Sequence, residues 1–582
     1  MSLASLSEAI EQDPVVTREL LHEVARRSGF TVAPRHEAAY LLGLRSSYAI
    51  AKQVDLLPDY VDPRLSIVPT IGGSRKYSKP EPDRNGLSAW CNFLNLQAVK
   101  TETRLLENRS IALKDTIAVG YIPQTLGTLP HFLSSKTEYP HSQIDATVVR
   151  RLLLAGATLK GTSICENFSL SPMSYTSIFG PVHNPWQRGF NSGGSSSGSA
   201  ALVALRAARK AGIKGLGDLG PDVELAIGGD QAGSIRVPAA YCGIYGLKPT
   251  FGLIPYTGIA GLLPMIDHVG PLATNIEDIA LSLTVLAGYD GLDSRMSPES
   301  PLRDKVQRYH EELAAFGAQV LQPKRPSGSK PLLRVGLITE SFQITGMSEE
   351  VAETVRSAAM KCFTALGAEV SEVSIPMHTI GATIWTAAVR NQMASHAFGG
   401  RATDMLTHDM PHLSPIWPPN QEFYDVLSRH NPAVVLTILG ETLLADAMPL
   451  SSQRKAHRHV LELRAAYDNA LQHFDVLVTP TTPTVAPPLP DIEDHSGPDP
   501  TAPSSVERML RLAAGSTNNT SPFNATGHPG LSVPCGWAAS AHGGYKLPVG
   551  MQIIGRRFDD LGVLKAAKLF ELGGGKLGPR PA

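Results

Sequence analysis

Hydrophobic positions in this chain change their period from one end to the other. Near the N-terminus, Leu20, Leu21 and Val24 form a helical stripe, with Asp13-Pro14 as N-cap and first-turn pair and Gly29 as C-cap. A second helix is expected over residues 35–55. Residues 69–85, rich in Gly, Pro and charge, read as a linker. Residues 1–84 are therefore taken as a helical N-terminal extension and 85–582 as the main domain. From about residue 100, short apolar runs alternate with helical patterns. Ile111-Ala112-Leu113 and residues 332–338 and 474–478 are expected strands. Residues 147–157 are an expected helix with Val148, Leu152 and Leu153 on one side. So are residues 349–366, with Val351, Val355, Cys362 and Phe363 roughly on one face. This alternation predicts an α/β fold. Residues 322–330 and 479–503 read as loops. Residues 380–430, with Trp385, Trp417 and a proline cluster, fit no simple period and read as a lid or pocket wall. No internal repeat is found.

Composition narrows the class without changing that picture. Of 582 residues, 42% are hydrophobic and 18% charged, enough apolar material for a large core. A net charge of -1 advertises no nucleic-acid or anionic-membrane partner. The first residues are polar and acidic, without a secretory pattern, and no run of about 18 apolar residues suggests a membrane span. Cys91, Cys165, Cys242, Cys362 and Cys535 are scattered without CxxC spacing, so reduced thiols are expected rather than disulfides or a zinc site. A cytoplasmic chain with no metal and no cofactor is the expectation.

Three segments concentrate Gly, Ser and Lys. Lys114-Asp115 ends an apolar strand. Gly193-Gly194-Ser195-Ser196-Ser197-Gly198-Ser199 opens a helical run. Gly228-Gly229-Asp230-Gln231-Ala232-Gly233-Ser234-Ile235-Arg236 is a small-residue turn. Amide hydrolysis needs an activated hydroxyl, donors for the developing oxyanion and a proton for the leaving amine. The last segment can supply both turn and nucleophile. No motif fixes a histidine, and a lysine can serve as base once burial makes it neutral. Each segment alone also fits a blander role, as a solvated lysine, a flexible loop or a helix start. Neither Gly-rich segment carries a GKS ending or a complete GxGxxG, which argues against nucleotide binding. Gly194-Ser195-Ser196-Ser197-Gly198 matches a GxSxG elbow centred on Ser196, but Phe190-Asn191-Ser192 before it is not strand-like. Ser327-Gly328-Ser329-Lys330 matches SxxK inside a flexible loop, without companion motifs.

Taken in order, these segments resemble the amidase signature family over about residues 85–570. Asp145-Ala146-Thr147-Val148-Val149, Leu154-Ala155-Gly156-Ala157, Gly180-Pro181-Val182-His183-Asn184-Pro185 and the run Tyr241 to Thr250 are similar to family segments. So are Thr479-Pro480-Thr481-Thr482-Pro483, the run Pro522 to Pro529 and the run Leu547 to Gln552. The resemblance implies a large fold with a central mixed β-sheet flanked by helices. It implies Ser234 as nucleophile, Ser195 as bridging serine after a cis peptide bond from Gly194, and Lys114 as general base. Backbone N–H groups of Gln231, Ala232, Gly233 and Ser234 would form the oxyanion hole. Gly194, Ser196, Asp230 and Arg236 would brace the loops.

The sequence departs from that family at two places. Ser197 stands where glycine is usual. Ser195 and Ser234 lie 39 positions apart, longer than the family norm, with the surplus around residues 209–224 expected as a surface excursion near the site mouth. The Gly-Gly-Asp-Gln wording and the N-terminal extension look most like bacterial nitrile-pathway amidases and related fungal enzymes. The implied reaction is amide hydrolysis through an acyl-enzyme, with carbamate (urethane) or ester hydrolysis as the alternative on the same triad. The glutaminase subunit of a tRNA-dependent amidotransferase is the alternative of another class. A small-molecule amide, ester or carbamate is the expected partner, and the helical N-terminus is a candidate homodimer surface.

Overall fold

The computed structural model describes residues 15–213, 216, 219–322, 330–408, 410–449, 451–491 and 503–581. It divides into two compact units, one ending at Asp62 and one running from Pro63. In the first unit, helix Arg18–Arg27 begins at Thr17, whose hydroxyl accepts the Leu20 N–H at 3.2 Å. The Asp13-Pro14 cap lies outside the described residues. Leu21 and Ala25, four positions apart, face inward with Val32, while Val24 points to solvent. The stripe read from the sequence is therefore rotated by one position. Helix Glu37–Asp55 follows, and Glu37 pairs with Arg18 at 3.1 Å.

The second unit is built on one eleven-stranded mixed sheet. Its strands are β1 (Trp90–Leu96), β2 (Ser110–Lys114), β3 (Thr158–Ser163), β6 (Leu225–Asp230), β7 (Tyr245–Lys248), β8 (His268–Ala273), β9 (Arg334–Ile338), β10 (Glu369–Val373), β11 (Val476–Pro480), β12 (Gly530–Ala539) and β13 (Lys546–Ile554). Two short strands, β4 (His183–Asn184) and β5 (Gln187–Asn191), form a separate hairpin. The sheet order is β1-β3-β2-β6-β8-β7-β12-β13-β11-β9-β10. Strands β3, β2 and β6 run parallel to one another. All three therefore end at the same edge of the sheet, where parallel strands present ligand sites. The expected strands at 111–113, 332–338 and 474–478 are present within a residue or two. Helices Thr147–Leu154 and Glu349–Thr364 are present too, ending three and two residues earlier than expected, and their named apolar residues are buried.

Residues 69–85, read as a linker, are pinned to the second unit. The buried Arg75 guanidinium makes a two-pronged pair with Asp145, at 2.5 and 2.6 Å, and donates to the carbonyl of Val68 at 2.9 Å. The same carboxylate accepts the N–H groups of Val68 and Gly120, each at 2.9 Å. Composition alone could not reveal this, because the partner lies 70 positions away. A buried carboxylate that loses its cation is left uncompensated. Replacing Arg75 by Ala is therefore expected to cost about 3–5 kcal/mol of unfolding free energy, measured by denaturant titration. A loss below ~1 kcal/mol, the level of an exposed pair, would contradict the account of this strap.

Candidate active site

The C-terminal ends of β3, β2 and β6 each deliver one part of the site. Lys114 is the last residue of β2 and is fully buried. Ser169 follows β3 in a short turn where Phe168 and Ser169 have φ values of 50° and 65°. Gln231 to Ser234 follow β6 directly, and helix Arg236–Cys242 begins two residues after Ser234. Ser195 arrives just before helix Ser197–Lys210, and the Gly194–Ser195 peptide bond is cis. Glycine is needed at 194, since a Cβ there would sit 2.7 Å from the Ser171 carbonyl and 2.8 Å from Glu166 Cγ.

The Lys114 ammonium donates to Ser195 Oγ at 2.7 Å and to Ser169 Oγ at 2.6 Å, and the two serine hydroxyls lie 3.0 Å apart. Burial pushes the Lys114 amine down to about 8, against the pull of Cys165, Asp230, Glu166 and Asp267. A buried lysine without an adjacent ion pair is thus close to neutral under mildly alkaline conditions. Ser234 joins this group through its backbone, its carbonyl accepting the Ser196 N–H at 3.3 Å. Its side chain makes no hydrogen bond with another described residue. The structure therefore brings Lys114, Ser169 and Ser195 into direct contact and ties Ser234 to the Ser195 loop through its carbonyl, with a hydroxyl that meets no other described residue.

The turn at 231–234 has its carbonyls tied outward. Trp385 Nε1 donates to the Gln231 carbonyl at 3.0 Å and Thr520 Oγ1 to that of Ala232 at 2.5 Å. Among the described residues, no group accepts from the N–H groups of Gln231, Ala232, Gly233 or Ser234. Four backbone donors in one turn thus have no acceptor among the described residues. Behind it lies a buried pair. Arg236 donates to both Asp230 oxygens at 2.8 and 3.0 Å, to Gln552 Oε1 at 2.7 Å, to Asn524 Oδ1 at 2.6 Å and to the Thr520 carbonyl at 2.9 Å. Burial alone would raise the Asp230 carboxyl, but Arg236 and Asn524 outweigh it and hold it well below the usual range. Asp230 also accepts the Ile235 N–H at 3.1 Å, fixing the start of the helix after Ser234.

Ser196, the centre of the GxSxG match, is fully buried and bonded in both directions to the Gly229 backbone, at 3.1 and 3.2 Å. A strand does precede it, contrary to the sequence reading, but β5 pairs with β4 and lies off the main sheet. Ser327 to Ser329 of the SxxK match lie outside the described residues. The excursion at 209–224 is only partly described, since residues 214, 215, 217 and 218 fall outside. Its described ends are held by Asp222 with Arg206 and Arg209, at 3.0 and 2.7 Å. Its described residues lie at the far end of helix Ser197–Lys210, about 20 Å along the axis from Ser195. That corrects the expectation of a position near the site mouth. The described residues of the excursion join the helix to the start of β6, whereas Ser195 and Ser234 lie at the opposite ends of both.

Ser234 opens onto a cavity of about 180 Å³. Its walls include Leu170, Tyr175, Leu262, Trp385, Met509 and Leu510, and among the described residues no Asp, Glu, Lys, Arg or His lines it. Trp385 fulfils the expectation of a pocket wall in the 380–430 region. Sequence reasoning missed Ser169, which lies in a left-handed turn with no periodic pattern, and Thr520, which approaches the site from 288 positions away.

Residues 92–564 match the amidase family. The chain is 36% identical over 506 residues to an enantioselective amidase of Rhodococcus rhodochrous, covering 85% of each chain. It is 31% identical over 488 residues to a subunit of the glutamyl-tRNA(Gln) amidotransferase of Exiguobacterium sibiricum, covering 82% of this chain and 86% of that one. The crystal structure of the corresponding glutamyl-tRNA(Gln) amidotransferase component from Thermotoga maritima shares the fold, with a TM-score of 0.59 at 23% identity over 84% of this chain and 87% of that one.

Gly233 offers a test of the turn. Its φ is 141°, and a Cβ there would collide with the Thr520 hydroxyl. Gly233→Ala is expected to slow covalent labelling of Ser234 by a fluorophosphonate about a hundredfold, the scale of a lost oxyanion donor. Labelling within about twofold of wild type would mean that the turn is not the reactive element.

Proposed function

The chain belongs to the amidase family of enzymes acting on C–N bonds, and from that premise we propose that it hydrolyses neutral carboxylic amides through an acyl-enzyme on Ser234. The observation that carries this reading is the buried Lys114–Ser195 contact beside a free serine in a turn of unoccupied N–H donors. Neutral Lys114 takes the proton of Ser195 as Ser195 takes that of Ser234. The Ser234 oxygen attacks the amide carbon, and the oxyanion settles on the N–H groups of residues 231–234. The proton then returns through Ser195 to the amine, which departs. Water repeats the sequence and releases the acid. Ser169, bonded to both Lys114 and Ser195, keeps the amine aligned through these transfers.

The cavity speaks to the substrate. A glutaminase subunit must hold the charged α-amino and α-carboxylate groups of glutamine, and burying unpaired charges is costly. The uncharged, mostly apolar lining suits a neutral acyl group instead. This favours the amidase reading over the glutaminase one, and it agrees with the proposed likeness to nitrile-pathway amidases. Amides, carbamates and esters can all present such a group to Ser234. A panel of aryl amides, aliphatic amides, carbamates and esters, with free glutamine as the charged comparison, tests the assignment. Amide turnover by the chain alone, with glutamine at least about a hundredfold poorer in kcat/KM, is expected. Efficient glutamine hydrolysis would overturn it.

Two further outcomes follow from the relay. The neutral fraction of Lys114 falls as protons are added, so kcat/KM is expected to drop about tenfold per pH unit below about 8. A flat profile into the acid range would remove Lys114 as base. Ser195→Ala is expected to lower kcat at least about a thousandfold with an unchanged melting temperature. Near-normal turnover would remove Ser195 from the relay.

A further inference from the structure

Glu166 follows β3 and lies wholly inside the protein beside the Ser195 loop, yet no step of the relay uses it. Its main chain is committed to the site. The Glu166 N–H donates to the Ser195 carbonyl at 3.2 Å, and the Glu166 carbonyl accepts the Ser169 N–H at 2.8 Å. Its carboxylate is committed as well. One oxygen accepts the Ser197 hydroxyl at 2.6 Å, and the other accepts the Thr176 N–H at 2.7 Å and hydroxyl at 2.6 Å. Both serines bonded to Lys114 are thus anchored to one residue, and its side chain reaches the first turn of the helix that Ser195 precedes.

We propose that Glu166 is a positioning residue that fixes Ser169 and Ser195 against Lys114 and supplies part of the negative field in which Lys114 gains its proton. The proposal rests on the Lys114 relay. It also accounts for Ser197, the position that departs from the glycine usual in the family. The Ser197 hydroxyl is the donor that ties helix Ser197–Lys210 to the carboxylate. Burial raises the Glu166 carboxyl to about 7 against the three donors that favour its ionised form, so it carries its charge over the range near 8 in which Lys114 titrates. The charged and titratable neighbours are few. Lys114 is in electrostatic reach of Cys165, Glu166, Asp230 and Asp267. Glu166 is coupled to Lys114, Cys165 and Tyr175. Asp230 is already neutralised by Arg236, so its pull on Lys114 is partly cancelled. Among the described residues the Glu166 carboxylate meets hydrogen-bond donors and no paired cation, so part of its charge acts on the amine beside the larger pull of Asp230.

The decisive experiment is the pH dependence of amide hydrolysis by full-length Glu166→Gln beside wild type. Glutamine keeps the shape and removes the charge. A lysine that loses a nearby negative charge gives up its proton more readily. The acid limb of kcat/KM is therefore expected to move toward lower pH by roughly one unit. In the same variant, kcat at alkaline pH is expected to fall about tenfold with KM held within about twofold. A merely structural role would lower activity without moving the limb. A limb that superimposes on wild type overturns the proposal, whatever happens to kcat. Should Glu166→Gln not fold, Ser197→Ala cuts the clamp from the other side. It is expected to lower kcat about threefold to tenfold at unchanged melting temperature, and full activity overturns the clamp. A wild-type chain that hydrolyses no neutral amide defeats the underlying relay and is distinct from either result.

Discussion

The site depends on taking one amine out of water. Lys114 ends a buried strand, surrounded by the sheet and by the loops that follow β3 and β6. An exposed lysine would hold its proton near pH 10.4 and could serve no hydroxyl at neutral pH. Burial brings the amine to about 8, within reach of catalysis. The neighbourhood has to keep it there without an adjacent carboxylate partner, which would restore the charge. Two serine hydroxyls meet the amine instead, and the strongest nearby anion, Asp230, is paired with Arg236.

The same requirement explains why the chain closes over the site from so many directions. Arg236 needs acceptors for all its N–H groups once it is buried; Asp230 takes two, and the others come from Thr520, Asn524 and Gln552, 284 to 316 positions further along. Trp385 and Thr520 then take the carbonyls of the turn that carries Ser234. Residues from the C-terminal part of the chain, from a helix, a turn and β13, in this way frame the turn that carries Ser234.

What could be read from the sequence follows the range of the interactions. Strand β2 and helices Thr147–Leu154 and Glu349–Thr364 are legible because their burial repeats at a local period. Lys114, Ser195 and Ser234 were legible as an ordered set, since local chemistry alone left each of them ambiguous. Ser169 and Glu166 were not, because they sit in an irregular turn whose value lies in contacts to residues 26 to 55 positions away. Arg75 was misread for the same reason: a charged residue among glycines and prolines looks solvated until Asp145 is placed beside it. The excursion before β6 was assigned to the site mouth because spacing counts residues and carries no direction. The helix between Ser195 and that excursion separates the two.

The most direct test is the titration of Lys114 itself. Selective carbon-13 labelling of lysine side chains, with Lys114→Met to assign the resonance, follows this amine across neutral to alkaline pH in the intact protein. A midpoint near 8 is the expected result. A midpoint at or above roughly 10.4, the value of a solvated lysine, would mean that the amine stays charged and that a different group activates Ser234.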